Sequence, residues 1–410
     1  MQNSAHMSEV VPKRRALLVG IKYEKDIIGD NAVNERYGPS PTLKGPHKDV
    51  DDMSKLLTDL YGYEEEQIVV MKDDGVSPNL QPTRTNMIRE LSALVHDARP
   101  GDRFFFHYAG HTMQQLNESG SEEDGMDECL MPCDDSPTAS KIITDNDLHR
   151  YLVSPLPVGS HLVAVFDSCH SATLLDLEHI RCNRVYVPWI SKGRRKSDTI
   201  YDYIVRRNAM VVKRAIYQAD RVSHHEVRSR KTSLERMYNT PRSTKHLSIL
   251  EKSEITSDRA DWIGSADTIN IPRCDSPAPM FSCTGFCSRP TGSDPNVAEV
   301  ISLSACEDGQ FCWEDDDGSS MTKVLIEILN QDPHPKLNHL MTFISHRLHK
   351  AAVRMHFMAR EHTRLVRKWE VKHNKSLYRR RTIETHMRND FQDPQLGSRS
   401  PLDMNSLWKV

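Results

Sequence analysis

The chain has 410 residues, with 54 Lys and Arg against 57 Asp and Glu, which gives a formal net charge of −3. This balance does not indicate a nucleic acid or a membrane surface as the partner of the whole chain. No apolar run approaches the ~20 residues of a membrane helix, so we expect no membrane anchor. Nine cysteines without paired spacing, and no apolar leader, predict a reducing compartment, the cytoplasm or alternatively the nucleus.

Taken in chain order, apolar runs alternate with amphipathic stretches, as is typical of an α/β fold with a mostly parallel sheet and helices on both faces. The segment after the first run, residues 22–25, is not a Gly-rich phosphate loop, which argues against nucleotide binding. Strands are predicted at 16–21, 67–71, 103–109, 162–166 and 300–304, and helices at 46–60, 83–96, 319–329 and 336–369.

Two of these strands end in chemically complementary residues. The run 162–166 stops at Asp-Ser-Cys-His-Ser, which contains Cys169, and the run 103–109 is followed by Gly110 and His111. A structural cysteine usually lies within an apolar run, whereas Cys169 follows one. A thiol needs a base to act as a nucleophile. If the two strands are parallel neighbours, Cys169 and His111 come together at the same edge of the sheet.

Three motifs resemble those of the type I metacaspases of fungi and protists. They are Tyr-Ala-Gly-His at 108–111, Asp-Gly-Met-Asp-Glu at 124–128 and Asp-Ser-Cys-His-Ser at 167–171. The blocks at 301–306 and 318–322 resemble the small-subunit region of the same family. The resemblance implies a caspase-like three-layer sandwich and a cysteine endopeptidase that cleaves protein substrates after Arg or Lys, usually with calcium.

The resemblance also implies roles for individual residues. Cys169 would be the nucleophile, His111 its acid–base partner, and the backbone amides of Gly110 and Cys169 the oxyanion donors. Asp49 with Asp167 would recognise the basic side chain of the substrate through charge-assisted hydrogen bonds. A simpler account of Asp49 remains open, because an acid in the first turn of a helix stabilises the helix dipole.

An acidic segment, residues 118–147, lies between the two candidate catalytic residues. It can be a solvated surface loop, and its spacing is not that of an EF-hand. The resemblance instead implies calcium ligands, with an Asn where the family has an Asp, which would weaken the site. These implied ligands are Asp127, Asp145, Asn146 and Asp176.

Four further positions depart from the family pattern. Pro46 and Ala109 replace Cys and Ser, and Thr112 and Ala172 replace glycines. A glycine is needed where φ is positive or where the backbone approaches a ligand closely, so the last two substitutions could slow turnover. A catalytically weak or inactive scaffold protein therefore remains the alternative function.

Composition predicts a polar, disordered N-terminus at 1–13 and a basic, disordered insertion at 181–295. The resemblance implies a large-subunit-like catalytic region at 14–180 and a small-subunit-like region at 296–410 that completes the same domain. Residues 181–232 hold 14 Lys and Arg against 4 Asp and Glu. Dibasic clusters at 194–196, 206–207 and 228–231 predict self-processing. Nucleic-acid contact is the less favoured reading, because interleaved aromatic residues are lacking. We expect a monomer, as the family is generally monomeric.

A cysteine pair, Cys283 and Cys287, lies near Cys274 in the insertion. Such a pair could contribute to a zinc site, but the sequence shows no matching second pair, so zinc is not predicted.

Overall fold

The computed structural model describes residues 12–24, 42–116, 126–134, 142–168, 171–185, 283, 287, 297–306, 320–373 and 392–410. All of these belong to one compact unit, formed by residues 1–187 and 276–410. Cys169, the dibasic clusters and most of the predicted insertion lie outside the described residues.

The described strands form two sheets. Six of them make a central sheet in the order β2-β1-β3-β7-β8-β9, in which each neighbouring pair is parallel except β8 with β9. The other three form a small antiparallel sheet in the order β4-β5-β6. The strands are β1 Arg14–Gly20, β2 Ile68–Lys72, β3 Arg103–Ala109, β4 Thr112–Leu116, β5 Met126–Leu130, β6 Ile143–Thr144, β7 His161–Asp167, β8 Glu299–Ser304 and β9 Gln395–Ser398.

Helices cover both faces of the central sheet. One apolar core joins α1, α4 and α5 to the sheet, and a second core joins α2 to the opposite face. Within β3, Phe104 and Phe106 enter the second core and Phe105 enters the first, as expected of a strand that is buried on both sides. The predicted three-layer α/β architecture is confirmed. The helices are α1 Pro46–Tyr61, α2 Arg84–Leu94, α3 Asp145–Leu148, α4 Met321–Gln331 and α5 Leu337–His373.

Helix α1 begins directly against the end of β1. Pro46 occupies the first turn, where its missing N–H costs nothing. A Cβ on Gly20 would lie 2.5 Å from the carbonyl oxygen of Pro46, so only glycine allows this approach. The contact fixes the start of α1, and with it Asp49, beside the carboxyl edge of the sheet.

The small sheet lies partly within the acidic segment, where no strands were predicted. Asp127, Glu128 and Asp145 are all buried, so a fully solvated loop is the wrong description of these residues. Within the described ranges, no helix combines the length and the apolar character needed to cross a membrane.

Candidate active site

The pairing of β3 with β7 aligns the ends of the two strands that precede the candidate catalytic residues in the sequence. Ala109 and Asp167 are partners in this parallel pair. His111 and Cys169 each follow two residues later in the sequence. The prediction that the two strands are parallel neighbours is confirmed.

The residues on either side of Cys169 are anchored to the end of β8. The Ser168 carbonyl oxygen accepts hydrogen bonds from Ser171 Oγ at 2.9 Å and from Cys306 Sγ at 3.4 Å. Ser304 Oγ donates to the Ser171 carbonyl oxygen at 2.7 Å. Ser168 and Ser171, which flank residues 169–170 in the sequence, are therefore held at fixed points.

His111 is held by two tyrosines that the sequence analysis did not identify. The imidazole ring of His111 stacks on the ring of Tyr23, with a centroid distance of 4.7 Å. The backbone N–H of His111 donates to Tyr23 Oη at 3.0 Å. Tyr108 Oη donates to the His111 carbonyl oxygen at 2.6 Å. Burial raises the pKa of Tyr23 well above its ordinary value, so this hydroxyl stays protonated. The backbone of His111 is thus fixed on both sides.

Tyr23 is itself fixed by Asp73, a buried residue just beyond β2. The carboxylate accepts hydrogen bonds from the N–H groups of Lys22 at 2.9 Å and Tyr23 at 2.8 Å, and it pairs with His47 at 2.6 Å. Burial alone would raise the pKa of Asp73, but these hydrogen bonds lower it on balance. Tyr23 has a φ of 59°, which is a strained backbone conformation for a residue other than glycine. The hydrogen bonds of Asp73 help to hold Tyr23 in this conformation.

Gly110 leaves room for the same two tyrosines. A Cβ at this position would lie 2.8 Å from Tyr108 Oη and 3.1 Å from Tyr23 Oη. Glycine is therefore required by the packing behind His111. The role of Gly110 as an oxyanion donor stays a prediction.

The two candidate specificity carboxylates meet the start of α4. Ser320 caps this helix by accepting from the Lys323 N–H, and its hydroxyl donates to Asp49 Oδ2 at 3.0 Å. The Thr322 N–H donates to Asp167 Oδ2 at 2.7 Å. The positive end of a helix dipole favours negative charge at this place. Asp49 is buried and contacts α4, so stabilising the dipole of its own helix is not its only interaction.

A buried histidine contacts Thr322, the residue whose N–H binds Asp167. His107 is fully buried, and its Nε2 is 2.9 Å from Thr322 Oγ1. Burial lowers the pKa of His107 to about 3, so the ring is neutral in the folded protein at neutral pH.

The neutral state of His107 predicts a loss of stability in acid. The unfolded chain binds this proton near pH 6.5, whereas the folded chain resists it down to about pH 3. The contribution is complete above pH 6.5 and should fall by about 2 kcal/mol between pH 6.5 and 5. Urea unfolding at both pH values measures it. The His107→Phe variant should lack this part of the pH dependence, and an equal dependence in both proteins would contradict the account.

Three of the four candidate calcium ligands, Asp127, Asp145 and Asp176, influence one another electrostatically, although their carboxylate oxygens do not all lie within 4.8 Å of one another. Asp145 accepts the N–H of Glu128 at 2.9 Å, which joins α3 to β5 and to Asp127. Burial, followed by the charges of Asp145 and Asp127, raises the pKa of Asp176 to about 8. Asp176 Oδ1 is buried without a hydrogen-bond partner. Asn146, the fourth candidate, is exposed.

Glu128 is a buried acid that the sequence analysis did not single out. Its carboxylate accepts from Thr173 Oγ1 at 2.6 Å and from Gln114 Nε2 at 2.7 Å. The bond to Thr173 joins the small sheet to the segment that follows Cys169.

The departures from the family pattern do not strain the backbone. Among the described residues, the non-glycine positions with positive φ are Tyr23, Asp97 and Asp176. Thr112 and Ala172 are not among them, so neither position needs a glycine for its φ. This finding removes one physical reason for an inactive protein.

Comparison with known proteins agrees with the resemblance. Residues 14–178 match the family model described as "Metacaspase, peptidase C14 domain". Metacaspase-1 of Kluyveromyces lactis is 42% identical over 172 residues, which is 42% of this chain and 36% of that protein. Metacaspase-1 of Botryotinia fuckeliana is 41% identical over 173 residues, 42% of this chain and 38% of that protein. The matched region thus spans less than two fifths of the length of either relative.

A solved structure, caspase-1 from Spodoptera frugiperda, overlaps 94% of this chain and 86% of its own, with 10% identity and a TM-score of 0.38. This likeness is too low to support any argument about the site. The sheet order and the two cores define a three-layer α/β protein with a mostly parallel central sheet. Residues 14–178 are similar to the metacaspase domain of the peptidase C14 family, in agreement with the predicted resemblance for this part of the chain.

Proposed function

We propose that the protein is a cysteine endopeptidase in which Cys169 and His111 form the catalytic pair. The observation that supports this most directly is the register of β3 with β7, which aligns the positions two residues before each of them. The fixed backbone of His111 adds support, because a general acid must be held within reach of the reacting atoms.

In the proposed mechanism, the Cys169 thiolate attacks the carbonyl carbon of the scissile peptide bond. The amides of Gly110 and Cys169 stabilise the oxyanion, and His111 protonates the amine that leaves. Water, deprotonated by His111, then attacks the thioester and releases Cys169 and the new carboxylate. Each well-placed oxyanion donor contributes about 3 kcal/mol to such a reaction.

We propose that Arg or Lys precedes the cleaved bond. Asp49 and Asp167 both bind the first turn of α4, so the two acids converge on one place at the carboxyl edge of the sheet. Paired carboxylates suit a guanidinium, which donates two parallel hydrogen bonds.

Fluorogenic peptides that end in Arg, Lys, Leu or Asp test this function in the full chain. We expect kcat/KM for Arg and Lys peptides to exceed that for Leu or Asp peptides by at least about 100-fold. One charged hydrogen-bonded pair between substrate and protein contributes a free energy of about that size. A preference for Asp would contradict the assigned specificity. Absence of turnover with every peptide would favour the scaffold alternative.

We further propose that calcium binds between β5, α3 and the segment after Cys169. Carboxylate oxygens are the ligands that calcium prefers, and the unpartnered Oδ1 of Asp176 suits such a role. Asp127, Asp145 and Asp176 would hold the ion. Its charge would offset the repulsion among these acids and fix the segment that follows Cys169.

Calcium should therefore raise the thermal stability of the protein, and Asp176→Asn should remove most of that rise. Without calcium the variant should be at least as stable as the parent, because a neutral amide avoids the cost of placing an acid in a buried site beside Asp145 and Asp127. Differential scanning fluorimetry with and without millimolar calcium measures both effects. Asp97→Asn, which changes an exposed acid that also has positive φ, is the matched control. An equal calcium shift in both variants would contradict this site.

Self-processing at the dibasic clusters of the insertion remains part of the proposal. Those clusters lie outside the described residues, so their support is their sequence alone. The cytoplasm, with the nucleus as alternative, and a monomeric state are proposed on the grounds given above. Light scattering of the purified chain tests the latter.

A further inference from the structure

A cluster of four metal-binding side chains lies away from the active site. The ligand atoms of His179, Cys182, Cys283 and Cys287 all lie within 4.8 Å of one another. His179 and Cys182 supply, at a spacing of three, the second pair that the sequence alone did not show. Across the described ranges, no other group of three or more His, Cys, Asp or Glu residues meets this distance.

The distances within the cluster fit a tetrahedral metal. His179 Nδ1 is 3.6 Å from Cys182 Sγ, and Cys283 Sγ is 3.5 Å from Cys287 Sγ. A zinc ion with bonds of about 2.0–2.3 Å separates such ligand atoms by about 3.5–3.8 Å. A disulfide would bring two sulfur atoms to about 2.05 Å, far closer than this pair.

The surroundings hold the ligands in place. The N–H and carbonyl of His179 pair with Ser398 at 2.9 and 3.0 Å, beside the central sheet. Asn183 is buried and donates to the carbonyl oxygens of His179 at 2.7 Å and Leu396 at 3.3 Å. Cys283 is buried, and the other three ligands are half-buried, so the cluster is partly shielded from water.

We propose that these four residues bind one zinc ion in a closed Cys₃His site. Three thiolates and an imidazole are the ligand set that zinc prefers, and calcium prefers oxygen. Binding releases one proton from each of the three thiols and involves no redox step. Four protein ligands leave no open position, so the ion is structural.

The zinc site joins two distant parts of the chain. His179 and Cys182 lie at the start of the basic insertion, and Cys283 and Cys287 lie near its end, shortly before β8. Zinc would thus close a loop of about one hundred residues and hold its ends against β9, even if the chain were cut within that loop.

Zinc content tests the site without reference to peptidase activity. The full chain carrying Cys169→Ala, which prevents self-cleavage, is reconstituted with Zn²⁺ and analysed by mass spectrometry for bound metal. We expect about one zinc ion per chain, and a tetrahedral thiolate spectrum when Co²⁺ replaces zinc. Cys283→Ser should weaken zinc binding by about 100-fold or more, and Cys133→Ser, which changes a cysteine outside the cluster, should not.

Protection from alkylation covers the case in which a variant fails to fold. In the parent chain, Zn²⁺ should slow the alkylation of Cys182, Cys283 and Cys287 and leave that of Cys133 unchanged. Equal alkylation with and without Zn²⁺, zinc content unaffected by Cys283→Ser, or a disulfide among the three cysteines in the reduced protein would each overturn the proposal.

Discussion

We expect the Cys169→Ala chain to hydrolyse no Arg-terminated peptide, with a loss in kcat of at least about 10⁴-fold. The reason is chemical, because no other group replaces the sulfur that forms the thioester. The same chain should remain intact at the dibasic clusters of the insertion, where we propose that the wild type cuts itself. Fluorogenic hydrolysis and gel electrophoresis of the purified chain measure both effects.

The matched control for this experiment is Cys133→Ala. Cys133 lies on the same chain, outside the catalytic pair, and burial raises its thiol pKa to about 12, which makes it a poor nucleophile at neutral pH. The control should keep the activity of the wild type. Hydrolysis by Cys169→Ala at the wild-type rate would exclude Cys169 as the nucleophile.

Asp49→Asn should lower kcat/KM for Arg and Lys peptides by about 100-fold, because one charged partner of the substrate is lost. The amide oxygen still accepts a hydrogen bond from Ser320, so the start of α4 is preserved. Rates for substrates without a basic side chain should change little. Steady-state kinetics with paired Arg and Leu peptides separates specificity from general damage.

Asp51→Asn is the control for charge on the same helix. Asp51 is exposed and pairs with Lys72 at 2.9 Å. Surface ion pairs of this kind contribute little, so the variant should retain both its stability and its specificity. Equal losses in the two variants would show that Asp49 acts only through the overall charge of the helix.

The central sheet was predictable because its strands are continuous apolar runs. Residues 104–106 and 162–166 alternate between two cores, which is possible only when both faces of a strand are covered. The start of α1 was equally clear, since Pro46 and the apolar periodicity agree. The edge that carries His111 followed from this pattern without any structural information.

The supporting residues of the site were not predictable in the same way. Tyr23 and His111 are 88 positions apart in the sequence, and only the folded chain brings them into contact. The positive φ of Tyr23 is not indicated by any sequence pattern. The only available indication was its place just beyond the first strand. The small sheet was missed because alternating acidic residues give the pattern of a solvated loop, whereas tertiary contacts bury them.

The cluster of His179, Cys182, Cys283 and Cys287 was not predicted from the sequence for a further reason. Cys283 and Cys287 find their partners about one hundred residues earlier in the chain, so no local spacing reveals the site. The pairing of His179 with Ser398, the last residue of β9, helps to place the second pair of ligands there.

The most direct test of the catalytic assignment is covalent labelling with a peptidyl chloromethyl ketone that ends in Arg, in the presence of calcium. Mass spectrometry should find one label per chain, attached to Cys169. The equivalent Asp reagent should label the chain far more slowly. A label on another cysteine, or equal labelling by both reagents, would contradict the pairing of a Cys169 nucleophile with an acidic specificity pocket.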